Sequence, residues 1–472
     1  MDKIIQNVFR FQINHGIVRA GGIFNMKNIY LLKYSVKGIK AIDQLVSLSF
    51  YKKIIPKNAD TQAYNIKGIY GMNGSGKSGI ITSVEILKNL LIDSDYLNNP
   101  IVQKNLDAII NKKTSELFIE ADYITKIGEE VTGFYRYNVT LLKGVTGRYV
   151  ISHEALFTKK ATSRSDAMHT IFEVDNGEII MLIEEDGRKK FHVDFINKTK
   201  NLLLTSSACS LFYEKFLPSA IVGYNNEYSF VCVTLIDLLV FGMKLHVYLD
   251  QSDNHREYVA KNALQCSEGA GRNKNEINYI ISNLLRVDND WLDVISITHN
   301  CIPKECYKAF EKMVNKLYEF LKIFKSDLQG IEIDKKENRD KWVCDLVMVY
   351  DSYKIHAEYE STGIKKLIQL FAYLNEMVEG GIVFIDEFDS NIHDVYLCAL
   401  LEYLMEYGKG QLCFTTHNVG PMDVLKHHKK SIDFLSEDHE IYSWTTSGNY
   451  SPSKLYRNGM IEGSPFNIDS ID

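Results

Sequence analysis

The sequence predicts an α/β protein with a mixed sheet, an antiparallel β-lobe and a helical insertion. Three observations support this fold class. A glycine-rich segment at 71–78 lies between a strand-like and a helix-like stretch. An apolar run at 381–387 ends in two adjacent acids, as a buried parallel strand does at a ligand crevice. Residues 116–195 show short β-rich runs with turn signals, which is typical of antiparallel strands.

Composition favours an ordinary globular protein. Of 472 residues, 45% are hydrophobic and 24% charged, with a formal net charge of −6. This charge provides no overall attraction to nucleic acid, so any DNA contact would need a local patch. The eight cysteines show no regular spacing, which predicts a reducing, cytoplasmic setting. The first thirty residues lack a signal-peptide pattern, so we expect no export.

Two further segments have competing interpretations. His299, Cys301 and Cys306 resemble part of a zinc site, but a fourth ligand is missing and ordinary residues are favoured. The apolar run 230–249 is long enough to test as a membrane span. Asp237 and Lys244 interrupt it, and charges are costly at bilayer depth, so we expect a buried helix and no membrane partner.

Along the chain we predict four regions. Residues 1–115 form the first half of the core, 116–195 the antiparallel β-lobe, 196–335 the helical insertion and 336–472 the second half of the core. In order, the predicted elements are strands at 28–36 and 45–51 that feed the sheet of the glycine-rich loop, a strand at 64–70, a helix from about 78, β-lobe strands at 117–124, 133–141 and 170–174 with turns at 176–177 and 186–187, an amphipathic helix at 308–317, and a strand at 342–350.

The glycine-rich segment fits the pattern G-x-x-x-x-G-K-[ST]. Such a loop wraps its backbone N–H groups around a polyphosphate at a helix N-terminus, and glycines allow the close approach. Lys77 would reach the β- and γ-phosphates, and the Ser78 hydroxyl would bind Mg²⁺. A coincidental glycine-rich turn is the alternative. The predicted phosphate-binding residues are Gly71, Asn73, Gly74, Ser75, Gly76, Lys77 and Ser78.

The acidic pair follows the apolar residues 381–385. Asp386 would hold Mg²⁺ through water, and Glu387 would orient and polarise the attacking water. A solvated strand end is the alternative interpretation. Residues 411–416 form another apolar strand that ends in His417, which would contact the γ-phosphate and sense its loss; otherwise it only caps a strand.

Ser361 precedes an apolar helical pattern that runs to about Met377. A serine there predicts an N-cap, and the free N–H groups at the helix start form an anion site. Alone, this is an ordinary helix start.

Together these motifs resemble those of soluble ABC-type ATPases. The order is the phosphate loop 71–78, the signature Glu360-Ser361-Thr362-Gly363, the acids Asp386-Glu387, the segment 389–393 and the switch Thr415-Thr416-His417. The sequence is most similar to SMC-like and OLD-like ATPases of abortive-infection type, found in bacterial antiphage systems such as Septu and PARIS. The likeness covers roughly residues 24–88 and 340–445, and implies an ABC-type P-loop core that binds ATP and Mg²⁺.

The resemblance also implies a head-to-tail homodimer or higher homo-oligomer. ATP bound at residues 71–78 of one copy would be covered by Ser361, Thr362 and Gly363 of the other, and Glu387 would drive hydrolysis. Thr362 stands where transporters carry glycine, and the family's glutamine loop has no assigned position.

Two functions follow from the resemblance. Relatives with their own nuclease carry a metal-dependent domain after the switch histidine, and residues 418–472 show no spaced acidic set for two metals. We therefore expect a sensor ATPase that responds to a phage-derived trigger and regulates a separate toxic effector, such as a nuclease. The alternative is a DNA-repair ATPase that clamps DNA, for which the basic segment 426–430 is the only sequence support.

Overall fold

The computed structural model describes residues 27–183, 189–216, 230–249, 295–304, 307–339, 341–445 and 450–464. Residues 1–26, the predicted turn at 186–187 and Cys306 lie outside this part of the chain. The described strands are β1 Lys27–Lys37, β2 Val46–Ser49, β3 Ile66–Gly71, β4 Glu116–Ile127, β5 Glu130–Lys143, β6 Tyr149–Lys159, β7 His169–Asp175, β8 Glu178–Leu182, β9 Leu245–Tyr248, β10 Asn300–Pro303, β11 Leu328–Asn338, β12 Lys341–Tyr350, β13 Lys354–His356, β14 Ile382–Ile385, β15 Gln411–Thr415, β16 Ile432–Leu435 and β17 Ile441–Ser443.

The described helices include long, amphipathic and fully buried types. They are α1 Lys77–Ile92, α2 Pro100–Ile109, α3 Lys189–Thr199, α4 Ala208–Lys215, α5 Phe230–Lys244, α6 Tyr307–Phe324, α7 Thr362–Glu379, α8 Asp394–Tyr407, α9 Gly420–Leu425 and α10 Pro452–Arg457.

The central sheet has six strands in the order β17-β16-β3-β15-β14-β9. All neighbouring pairs are parallel except β16 with β17. β3 and α1 confirm the strand predicted at 64–70 and the helix predicted from about residue 78. The sheet is mixed, as predicted.

The central sheet separates two hydrophobic cores. Successive side chains of a strand point to opposite faces, and on β14 Ile382 and Phe384 pack with α1 and α5, whereas Val383 and Ile385 pack with α6, α7 and α8. Burial on both faces explains why β14 is apolar throughout. Lys67 of β3 is an exception, since it forms a fully buried ion pair of 2.6 Å with Asp433 of β16.

The antiparallel sheet has seven strands, ordered β2-β1-β4-β5-β6-β7-β8. We expected the first two strands of the chain to feed the sheet of the glycine-rich loop, and this was wrong: β1 pairs with β4 along ten positions. The boundary predicted between residues 115 and 116 therefore separates strands of one continuous sheet. The side chain of Gln411 on β15 joins the two sheets, because it bonds both the N–H and the carbonyl of Leu31 at 2.7 and 2.9 Å.

Region 196–335 contains more than helices. The run 230–249 is the buried helix α5 followed by β9, which lies at the edge of the central sheet. Asp237 of α5 accepts a hydrogen bond from the Tyr135 hydroxyl at 3.2 Å, and Lys244 donates to the Gly380 carbonyl at 3.0 Å. In the described residues, no helix is both long and apolar enough to cross a membrane. The boundary predicted at 335 falls inside β11, which forms a small sheet with β10, β12 and β13.

Candidate functional site

Three neighbouring parallel strands end at one edge of the central sheet. β15 lies between β3 and β14, with Thr415 opposite Ile69 and Phe414 opposite Ile385. The phosphate loop follows β3, the acidic pair follows β14 and the switch histidine follows β15. The fold therefore places three motifs that are distant in sequence at the carboxyl edge, where α/β sheets bind ligands.

The phosphate loop has the backbone shape that its glycines predict. Gly74 and Gly76 have φ angles of +83° and +104°, a region that favours glycine. Gly76 is the N-cap of α1, and a Cβ added there would lie 2.6 Å from the Ile42 side chain. Asn73 and Gly74 are exposed and Ser78 is half-buried. Because the first N–H groups of a helix have no partner within it, the start of α1 is suited to an anion.

Lys77 folds back on the loop. Its Nζ donates to the carbonyl oxygens of Gly71 and Met72 at 2.7 and 2.9 Å. Burial lowers the pKa of Lys77 to about 8, although the carboxylates of Asp386, Glu387 and Asp389 act in the opposite direction. The three acids therefore favour the protonated form of Lys77. The amine thus bonds carbonyl groups of its own loop. A bound phosphate would replace these carbonyls as its hydrogen-bond partners.

Thr415 joins the two acids to the neighbouring strand. Its Oγ1 donates to Asp386 Oδ1 at 2.5 Å and accepts from the Glu387 N–H at 2.8 Å. The Asp386 N–H donates to the Tyr248 carbonyl on the other side, at 2.9 Å. Asp386 is 5% exposed, so its carboxylate has one defined orientation. This arrangement suits a group that holds Mg²⁺ through water.

Glu387 has an unusual backbone conformation. Its φ is +50°, in the left-handed region that non-glycine residues seldom adopt. Its carbonyl accepts from the Ser390 N–H at 3.0 Å and from Lys366 Nζ at 3.3 Å. The strained turn directs the chain away from β14 immediately after the acids, and such strain concentrates at functional sites.

His417 lies at the same edge and is exposed. Partial desolvation of its ring and the charge of Lys77 lower the pKa of His417, while Asp389 and Asp386 oppose this shift. The imidazole is therefore neutral at pH 7 and retains one N–H donor. The charges that act on this imidazole, those of Lys77, Asp386 and Asp389, belong to the motifs at the ends of the three neighbouring strands.

Among the residues that the structure describes, three buried polar atoms on or near the loop and the acids have no hydrogen-bond partner. They are Ser75 Oγ, Tyr70 Oη and Asp389 Oδ1. Buried polar groups normally have partners, so these atoms mark a place suited to water or a ligand. The residues present fit ATP with Mg²⁺. In the described residues, no group of three His, Cys, Asp or Glu side chains is arranged for a metal. Magnesium in nucleotide sites instead takes one or two protein ligands and phosphate oxygens, which Ser78 and Asp386 match.

The predicted signature begins helix α7. Ser361 is its N-cap, with Oγ accepting from the Ile364 N–H at 3.4 Å, which confirms the predicted cap. Ser361 and Thr362 are exposed, so this turn is accessible to another molecule. Gly363 packs on the segment that follows the acids, since a Cβ there would lie 2.8 Å from the Asn391 carbonyl oxygen.

The sequence placed Thr415 in the switch segment but did not predict its contacts with the two acids, and it missed Lys366 as part of the site. A polar residue at the end of an apolar strand was the available signal for Thr415, whereas a lysine within an amphipathic helix carries none. It also missed β9, whose end lies beside the acids. Gln251 follows this strand in the sequence but lies outside the described residues. His299 and Cys301 are both exposed.

The basic segment 426–430 is partly engaged within the chain. His428 bonds Asn65 Oδ1 at 3.0 Å, and Lys429 lies 5.4 Å from the centre of the Tyr64 ring.

Comparison with known proteins yields little. No family model matches the chain, and no curated protein matches it. Among solved structures, the chain is similar to an SMC head domain from Thermotoga maritima at 14% sequence identity, with 88% of this chain and 100% of that chain covered and a TM-score of 0.31. A likeness this low carries no argument about function.

Proposed function

We propose that the chain is an ABC-type ATPase that binds ATP with Mg²⁺ and hydrolyses it. The observation that carries this proposal is the convergence of Lys77, Asp386, Glu387 and His417 at the ends of three adjacent parallel strands. Each motif alone can be explained as an ordinary turn or strand end without a function. Their coupling through the pKa of Lys77 and of His417 supports a single site.

Each residue has a distinct task. The N–H groups of the loop hold the phosphates, and Lys77 exchanges its loop carbonyls for β- and γ-phosphate oxygens. Ser78 and Asp386 would hold Mg²⁺, which neutralises charge on the phosphates during transfer. Glu387 orients the attacking water and accepts its proton. Neutral His417 donates a hydrogen bond toward the γ-phosphate.

A second copy completes the site in this proposal. Ser361 and Thr362 are exposed, and the N–H groups of Thr362 and Gly363 at the start of α7 would present an anion-binding surface. In a head-to-tail homodimer, this turn would cover the nucleotide of the partner. Binding of ATP would then promote dimerisation, and its hydrolysis would release the two copies.

Two variants test this proposal against wild type. Purified wild type, Glu387→Gln and Lys77→Ala are compared for phosphate release, binding of a fluorescent ATP analogue and mass in solution by light scattering. Glu387→Gln should bind ATP, lose hydrolysis and accumulate as a dimer with ATP and Mg²⁺. Lys77→Ala should lose binding and stay monomeric with ATP. Equal hydrolysis by wild type and Glu387→Gln would refute the assignment of Glu387.

The biological role proposed is regulation of a separate toxic effector in antiphage defence, on a phage-derived trigger. Its support is the resemblance of motifs alone, which is an associational argument. A neighbouring gene that encodes a nuclease or toxin, and whose product binds this chain in a nucleotide-dependent manner, would support it. ATP-dependent retention of the chain on closed circular DNA, with no effector, would favour the DNA-clamping alternative.

A further inference from the structure

Lys366 is a buried lysine beside the acidic pair. It lies on α7, five positions after Ser361, and is 4% exposed. Its Nζ donates to the carbonyl oxygen of Glu387 at 3.3 Å and lies 4.5 Å from the centre of the Tyr248 ring. Burial of an ammonium group is costly unless it has partners. The Glu387 carbonyl and the Tyr248 ring provide such partners.

The Glu387 backbone is held from both sides. The N–H donates to Thr415 Oγ1, and the carbonyl accepts from Ser390 N–H and from Lys366. A left-handed conformation at a non-glycine residue costs roughly 1–3 kcal/mol and persists only where the surroundings determine it. Lys366 is the charged donor in this set of three contacts, and a charged donor forms a stronger hydrogen bond than a neutral one.

Lys366 also connects three elements. Tyr248 ends β9, its carbonyl accepts from the Asp386 N–H, and its hydroxyl donates to Gln369 of α7 at 3.2 Å. The side chain of Lys366 therefore lies where α7, β9 and the end of β14 meet. Because Gly363 packs closely on Asn391, the start of α7 has little freedom to move independently of the segment after the acids.

We propose that Lys366 is a positioning residue for ATP hydrolysis, which holds the Glu387 backbone so that its carboxylate faces the attacking water. It acts through Glu387 and does not itself touch the nucleotide. The hydrogen bond from Lys366 also links helix α7, which begins at the turn 361–363, to Glu387 of the same chain. Binding of a partner to this turn would therefore affect the position of Glu387. This inference rests on the proposed ATPase function.

The test compares Lys366→Met, Lys366→Arg and the matched control Lys365→Met. Methionine keeps the apolar stem over Tyr248 and removes the donor. Lys365 is the adjacent lysine of the same helix, and its Nζ donates to the Glu358 carbonyl at 3.2 Å. Phosphate release gives kcat and KM, a fluorescent ATP analogue gives Kd, and thermal unfolding reports stability.

We expect Lys366→Met to lower kcat about 100-fold, since small misplacement of a catalytic group costs this much, with Kd and KM within about twofold of wild type. Lys366→Arg should recover most of the rate because it restores a charged donor. Lys365→Met should match wild type. This split between kcat and KM is not expected of a residue that only stabilises the fold.

Two results would overturn the inference. One is an equal kcat for Lys366→Met and Lys365→Met. The other is a parallel loss of binding, stability and rate in Lys366→Met that arginine does not recover, which would make the role structural. If wild type itself shows no Glu387-dependent hydrolysis, the proposed ATPase function is refuted, and the inference about Lys366 with it. The Glu387→Gln measurement therefore distinguishes a failure of the proposed function from a failure of the inference alone.

Discussion

Replacement of Thr415 by valine removes one hydroxyl that serves both acids. Thr415 is 1% exposed, so water cannot readily replace the lost group. The hydroxyl donates to Asp386 Oδ1 at 2.5 Å and accepts from the Glu387 N–H at 2.8 Å. Valine has a similar shape but no polar atom, so the change isolates these two hydrogen bonds.

The size of the effect follows from these contacts. A hydrogen bond to a charged group contributes about 1.5–3 kcal/mol, and an unsatisfied buried donor costs about 1–3 kcal/mol. Because the two hydrogen bonds share one hydroxyl and their contributions do not add in full, we expect Thr415→Val to lower the free energy of unfolding by about 2–4 kcal/mol. We also expect kcat for ATP hydrolysis to fall about 100-fold, because both acids lose their fixed orientation.

The neighbouring Thr416 provides the control. It is also 1% exposed, but its Oγ1 accepts only from the Asn418 N–H at 2.9 Å among the described contacts. Thr416→Val should therefore cost about 0.5–1.5 kcal/mol, the range for one neutral hydrogen bond. Urea denaturation followed by circular dichroism measures the stability difference, and phosphate release measures kcat. A loss of stability in Thr415→Val no greater than in Thr416→Val, or an unchanged kcat, would refute the reasoning.

Two further predictions concern pH. Because Lys77 has a pKa of about 8, it loses its charge as the pH rises through that value, and the Kd of a fluorescent ATP analogue should increase by up to about tenfold per pH unit above it; a constant Kd between about pH 7 and pH 9.5 would contradict this. Burial raises the pKa of Glu154 to about 7 from 4.5, against the hydrogen bonds from Ala208 N–H and the Tyr137 hydroxyl, so the native state holds a proton that the unfolded chain releases. The free energy of unfolding should then fall by about 3 kcal/mol as the pH rises from about 4.5 to above 7. Glu154→Gln should abolish this dependence on pH. If urea denaturation shows the same loss of stability between the two pH values in wild type and in Glu154→Gln, the assignment to Glu154 is wrong.

Local patterns predicted much of the chain well. The strand, glycine loop and helix at residues 66–92 follow from spacing and residue type, because a phosphate loop needs positive φ angles where Gly74 and Gly76 stand. The N-cap of α7 was equally readable, since Ser361 precedes an apolar helical pattern. These features depend on neighbours within a few positions along the chain.

Pairing between strands that are distant in the sequence was harder to predict. Residues 27–37 have the composition of a strand in either sheet, and only the partner β4 assigns β1 to the antiparallel one. Similarly, β9 follows a buried helix without a break in hydrophobicity, so its apolar residues read as a continuation of that helix until they are seen beside β14. The contacts of Thr415 and Lys366 at the site likewise join elements that are distant in the sequence.

The sequence by itself determined which residues have the chemistry to hold a nucleotide: a loop lysine and serine, two acids and a histidine, each at the end of an apolar strand. The tertiary structure decided how these groups are oriented, through Thr415, Lys366 and the left-handed turn at Glu387. The physical reason is the separation along the chain of the residues that interact. Turn and cap geometry depends on backbone angles of adjacent residues, whereas the orientation of a buried carboxylate depends on donors from strands and helices that meet only after folding.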